Sequence, residues 1–230
     1  MRTRDPAHVA PWWRSPLLLM AAVCLALAWA FATFASEVVE RELHDVDAGV
    51  RAWVVAHRSD AGLAFFRAVT WLGSTGVLVI AAVIVGWILV RRGARVRPLA
   101  LAVAPFLFSA IVRVLKRLFA VVRPPTGVAE GGGFSFPSGH SAMSMAVAIV
   151  LAYVLVREGV ASRRALSAAV VVALVVGVSR VYLDMHWFSD VLGGWAVGAT
   201  FGTGCCALYE YAHRRAARLG HESTDQPAHA

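Results

Sequence analysis

The sequence predicts an all-α polytopic membrane protein: six transmembrane helices, with an amphipathic helix on the outer face between the first two. Three observations carry this prediction. Hydrophobic residues make up 59% of the 230 residues and charged residues only 16%, where an ordinary soluble domain is about 25% charged. The apolar residues gather in blocks that approach the ~18–20 needed to cross a bilayer. The basic residues, which give a formal charge of +8, sit in short clusters between those blocks, as cytoplasmic loops do. A disordered chain would be polar and highly charged, and a nucleic-acid surface would gather its cations on one face. Neither is expected, and no nucleic-acid partner is implied.

The elements follow in order within a single domain over 1–230. Residues 1–14 form a polar cytoplasmic tail with three arginines, and residues 17–35 the first span. That block is longer than the apolar core of a signal peptide. Residues 37–70 carry six acids and four arginines, and Val46, Val50, Trp53, Val54 and His57 recur at helical spacing. This is the amphipathic helix laid on the membrane surface. Asp45-Val46-Asp47 within it superficially resembles the D-x-D of aspartate-based phosphatases. It lacks the apolar strand that motif needs and reads as a solvated helix face.

The second span is 71–90, followed by a loop over 91–97 with four arginines and no acid. The third is 98–115, opened by Pro98, a residue suited to a first helical turn. A long polar loop over 116–137 contains Gly131-Gly132-Gly133. The fourth, fifth and sixth spans are 141–156, 165–183 and 191–211. A polar tail over 213–230 is expected to fray.

Thirteen of the 22 basic residues fall on the side that holds both termini. Both termini are therefore expected in the cytoplasm, and the loops at 116–140 and 184–190 on the outside of the cell membrane. Cys24, Cys205 and Cys206 all lie in apolar blocks, which suggests neither a disulfide framework nor a zinc site. Of the 22 basic residues, 21 are arginine and one is lysine, Lys116. A compact ammonium is chemically unlike a flat guanidinium, although one lysine on its own also fits a codon accident.

Three polar clusters stand at the outer ends of the spans. In Lys116-x6-Arg123-Pro124 a continuing helix would put the two cations on one face about two turns apart. Taken alone, the pair also reads as basic side chains snorkelling to the interface. In Pro137-Ser138-Gly139-His140-Ser141, Ser138 suits a helix N-cap. Gly139 lets an anion approach the backbone, the helix start offers free N–H groups, and His140 stands beside them as a proton donor. A capped helix that merely contains a histidine is the alternative. In Ser179-Arg180-x5-His186-x3-Asp190 the last two residues share a helix face. The carboxylate can fix one imidazole nitrogen and leave the other lone-paired, and Arg180 offers a planar fork to phosphate oxygens. Here the alternative is an interfacial charged turn. Trp187 and Phe188 read as part of an aromatic interface belt or as lining for the approach to such a site.

Together the clusters resemble the three signatures of the type 2 phosphatidic acid phosphatase superfamily, K-x6-R-P, P-S-G-H and S-R-x5-H-x3-D, with every fixed position present in order. The lone lysine falls on the family's lysine. The resemblance implies a lipid phosphate phosphatase working through a phosphohistidine. His186 is then the nucleophile, Asp190 its orienting acid and His140 the proton donor. Lys116, Arg123, Arg180, Ser138 and Gly139 hold the phosphate. No further carboxylate cluster accompanies them, so neither a metal nor a cofactor is expected. The implied partner is a membrane lipid substrate: a prenyl diphosphate, phosphatidate or phosphatidylglycerol phosphate. A phosphotransferase of the same fold with an acceptor other than water has the same motifs. A non-enzymatic lipid or anion transporter would not need an intact nucleophile, acid and proton donor. Haloperoxidases share the motif pattern but are soluble.

Overall fold

The computed structural model describes residues 15–93, 98–125 and 133–224. The expected N-terminal tail, part of the four-arginine loop, most of the triple glycine and the last residues of the C-terminal tail lie outside them. Eight α-helices follow one another, and no strand occurs among the described residues: α1 (Pro16–Val39), α2 (His44–Ala56), α3 (Asp60–Thr70), α4 (Thr75–Arg91), α5 (Pro98–Phe119), α6 (Gly139–Arg157), α7 (Arg164–Tyr182) and α8 (Phe188–Thr224). Four of them, α1, α6, α7 and α8, are long and apolar enough to cross a membrane. A fifth span results if α3 and α4, bent by 51° at Gly73–Ser74, count as one. The expected third span lies on α5, whose first residues fall at the edge of the described region.

Helix α6 lies at the centre and packs against α4, α5, α7 and α8. Its tightest neighbour is α8, for a reason written in small residues. Gly194, Gly198 and Gly202 fall four apart on one face of α8, and a Cβ at any of them would run into the backbone of α6 at Ser138, Ala142 or Ala146. Hydrophobic driving force is absent between helices in lipid, so close backbone approach at such small-residue faces supplies the association. Phe108 of α5 and Phe201 of α8 stack at 4.2 Å over the same core. The bundle turns apolar side chains outward, including Trp29, Ile80, Trp87, Phe106, Val171 and Leu208, as a bilayer solvent permits.

The helix ends differ between the two ends of the bundle. At the end that holds Arg91 and Arg157, Gly93 and Gly159 take the left-handed conformation after α4 and α6, the usual glycine stop. At the opposite end the same conformation falls on Arg41, Ala120 and Asp184, after α1, α5 and α7. A side chain costs roughly 1–2 kcal/mol there, and two of these residues prove to be tied into the site or its margin.

Several sequence expectations are corrected. The single amphipathic helix over 37–70 is the end of α1 followed by two helices, because Ser59 accepts the Gly62 N–H at 3.1 Å and starts α3 anew. The solvated face assigned to Asp45-Val46-Asp47 holds for Asp45 and Val46 but not for Asp47. Asp47 is 8% exposed and accepts both the backbone N–H (2.8 Å) and the hydroxyl (2.5 Å) of Ser189. The polar tail does not fray at residue 213: α8 runs on to Thr224, held where Arg157 and Arg214 both bind Glu210.

Candidate active site

The three clusters meet at one end of the bundle. Lys116 lies in the last turn of α5, and its ammonium donates to the carbonyls of Phe134 (3.1 Å) and Ser135 (2.7 Å). An ammonium has three donors, so one is left for an anion. The helix does not continue to Arg123 as the seven-residue spacing supposes. It stops at Phe119, Ala120 turns left-handed, and Pro124 disfavours a helical residue before it. Arg123 reaches the same place from the extended segment that follows. It donates to Gly133 O (3.3 Å) and Met185 O (2.8 Å).

Arg180, 6% exposed near the end of α7, donates to the hydroxyl of Thr70 at 2.9 Å. The chain then turns at Asp184. This buried carboxylate takes a two-pronged ion pair from Arg51 of α2 (2.8 and 3.0 Å), with Arg58 at 3.7 Å. Two residues on stands His186, in the loop before α8 and not on a helix as the four-residue spacing to Asp190 supposes. The expected contact forms all the same: His186 Nδ1 lies 3.0 Å from Asp190 Oδ2. Asp190 sits in the first turn of α8, where a carboxylate is favoured. The same oxygen caps the Trp187 N–H at 2.9 Å, and its other oxygen accepts the Ser135 hydroxyl at 3.1 Å.

The partners of His186 favour one tautomer. A carboxylate only accepts, so Nδ1 carries the proton. The other contact, Nε2 to Arg123 Nη1 at 3.4 Å, is with a group that only donates, so Nε2 carries the lone pair. The ring is 4% exposed. Burial first, then the charges of Lys116, Arg180 and Arg123, hold it well below the ordinary imidazole value of 6.5. At neutral pH it is a neutral base ringed by three cations.

Ser138 occupies the N-cap position of α6, but its hydroxyl makes no cap hydrogen bond and accepts from Ser141 Oγ at 3.0 Å. The first-turn N–H groups, which have no partner within a helix, stay available to an anion. A Cβ at Gly139 would meet only Val112, at 4.0 Å, so the approach to that backbone is open. His140 follows, within electrostatic range of Arg180, His186, Lys116 and Arg123. The Ser138 N–H binds the Asp190 carbonyl at 2.9 Å, which ties the start of α6 to the start of α8.

Trp187 is half-buried and donates its indole N–H to Val122 O at 2.8 Å. It lines a cleft of about 190 Å³ beside Arg123, His44 and Arg41. Sequence reading also missed Ser135, Thr70, and α2, which holds the His186 loop on both sides through Arg51–Asp184 and Asp47–Ser189. Asp184, two residues before His186, was a local signal, but nothing in the spacing names Arg51 as its partner. Among the described residues no group of three His, Cys, Asp or Glu side chains comes together as a metal site would require.

A buried imidazole with its lone pair among three cations, a carboxylate behind it and a second histidine at an open helix start is the arrangement of a phosphate-handling membrane protein. The chain belongs to the PAP2 superfamily, which matches residues 97–214 and so includes all three motifs. Among proteins similar to it, phosphatidylglycerophosphatase B of Bacillus subtilis (strain 168) is 41% identical over 91 residues, which is 37% of this chain and 45% of that protein. The match thus spans under half the length of that relative. The crystal structure of a transmembrane PAP2-type phosphatidylglycerolphosphate phosphatase from Bacillus subtilis is 27% identical. It superposes with a TM-score of 0.76 over 82% of this chain and 96% of the solved one.

Proposed function

We propose that this protein is a metal-independent phosphatase of membrane lipid phosphates or diphosphates that works through a phosphohistidine at the outer membrane face. The observation that carries the reading is the geometry of His186: Nδ1 lies 3.0 Å from Asp190 Oδ2 and Nε2 lies 3.4 Å from Arg123 Nη1, which suits an Nδ1–H tautomer with a lone pair on Nε2. Nε2 attacks phosphorus and the bond to the leaving oxygen breaks. That oxygen takes a proton from His140. Water then attacks the phosphohistidine, His140 takes its proton, and the P–N bond returns its electron pair to Nε2. Lys116, Arg123, Arg180, Ser138 and the Gly139 N–H stabilise the equatorial oxygens, and preorganised charge of this kind is the larger part of phosphoryl-transfer catalysis. The names of both Bacillus relatives favour phosphatidylglycerol phosphate over phosphatidate and prenyl diphosphates as the substrate.

Phosphate release by the purified protein across these three lipids, with excess EDTA and no added acceptor, tests the reading. The expected result is release from at least one lipid at a rate that EDTA leaves largely unchanged. Activity that vanishes with EDTA and returns with magnesium overturns the role given to the three cations. Release only on adding an alcohol acceptor makes the protein a phosphotransferase.

The topology we infer has six spans, α1, α4, α5, α6, α7 and α8, in one domain with both termini in the cytoplasm and the site outside. In a background without native cysteines, a cysteine at Gly132 is expected to react with an impermeant thiol reagent on intact cells. One at Gly93 is expected to react only after the membrane is opened. The reverse pattern moves the site to the cytoplasm.

A further inference from the structure

Residues 70–74, from the last residue of α3 to the start of α4, lie outside all three motifs and yet touch two of the residues those motifs supply. Gly73 is buried in the short 3-10 turn Trp71–Gly73. A Cβ placed on it would meet His140 at Cδ2 (3.2 Å) and Cβ (3.4 Å) and would overlap Val176 of α7. The imidazole of His140 therefore rests against bare backbone, in a space that only glycine leaves. Three residues earlier, the Thr70 hydroxyl accepts the Arg180 guanidinium at 2.9 Å. The turn itself is fixed: Ser74 N–H binds Trp71 O at 3.0 Å, and the Ser74 hydroxyl accepts from Val77 N–H at the start of α4. Trp71 and Leu72 point away from the bundle, 69% and 47% exposed, so the same turn has one face on the site and one apolar face toward lipid.

We propose that this turn is the leaving-group wall of the site, and that Gly73 is a positioning residue that seats His140 at the oxygen it must protonate. The inference rests on the assignment of His140 as the acid. Its chemical consequence is specific. A lipid alkoxide is a poor leaving group and needs a proton as the P–O bond breaks, whereas p-nitrophenolate is a stable anion and leaves without one. General acid catalysis contributes typically 10²–10⁴-fold where it is needed, and misplacement by about 1 Å can cost on the order of 100-fold. A displaced His140 therefore hurts the lipid substrate and spares the aryl phosphate. The readout is kcat/KM, which covers the steps up to the phosphohistidine and leaves out its hydrolysis, where His140 acts on water for both substrates.

The experiment measures kcat/KM of wild type, Gly73→Ala and His140→Ala on phosphatidylglycerol phosphate and on p-nitrophenyl phosphate. For Gly73→Ala the expected loss is about 10- to 100-fold on the lipid and within about threefold on the aryl ester. The double variant Gly73→Ala/Val176→Ala removes the overlap with α7 while keeping the methyl group against His140. It is expected to show the same selective loss if the single variant does not fold. An equal loss on both substrates in a folded variant, or no loss on either, overturns the inference. His140→Ala separates the two layers: if it too loses both substrates equally, the assignment of His140 as the acid fails. If it loses the lipid selectively while the Gly73 variants do not, only the seat at Gly73 fails.

Discussion

His186→Ala is expected to abolish phosphate release, by at least about 10⁴-fold, while the helical bundle stays folded. The substitution removes the one group that forms the covalent bond, and no neighbouring side chain can replace a nucleophile. Circular dichroism and size-exclusion profiles like those of wild type should accompany the loss, because the ring's fixed partners, Asp190 and Arg123, keep their backbone ligands at Trp187 and Met185. Wild-type protein quenched during turnover should carry phosphate that is labile in acid and stable in base. Near-normal release by the variant would end the mechanism. The same substitution has a signature in stability. His186 is held neutral when folded, well below 6.5, and takes a proton when unfolded. The native state then binds fewer protons than the unfolded chain below pH 6.5, so stability is lost as pH falls through that window. His186→Ala should make unfolding less sensitive to acid there.

Lys116→Arg is expected to lower kcat by on the order of 100-fold with charge unchanged. The ammonium already gives two of its three protons to the Phe134 and Ser135 carbonyls. Those carbonyls belong to the segment whose Ser135 hydroxyl also binds Asp190. A guanidinium is longer and flat. It cannot make those two contacts from the same Cα and still direct a proton at the phosphate, and it brings a third planar head beside Arg123 and Arg180. Arg117→Lys, on the exposed face one residue on, should leave activity near wild type. Equal activity of Lys116→Arg and wild type would show that the lone lysine has no role its charge alone does not fill.

The site could be read from the sequence because phosphate chemistry needs rare residue types in fixed order. The only lysine, the P-S-G-H run and the His186–Asp190 spacing stand out from an apolar background of alanine, valine and leucine. The helix faces were less secure. Two spacings that looked helical, Lys116 to Arg123 and His186 to Asp190, bring their residues together without a shared helix. In one case a left-handed residue and a proline stop α5 first. In the other the histidine sits in a loop and the aspartate reaches back from the first turn of the next helix. Periodicity reported the right neighbours for the wrong geometric reason.

What the sequence alone determined is the membrane character of the chain, the approximate positions of its long helices and which side chains make up the candidate site. These rest on local composition and on short-range order. The tertiary structure decided which residues hold those side chains in place: Arg51 on Asp184, Asp47 on Ser189, Thr70 on Arg180, Ser135 on Asp190, and the glycine face of α8 on α6. Most of these partners stand more than a hundred residues apart in the chain. A carboxylate or glycine looks the same in sequence whether it faces solvent or a partner helix, and only the packing of the bundle, which brings distant segments within bonding distance, distinguishes the two.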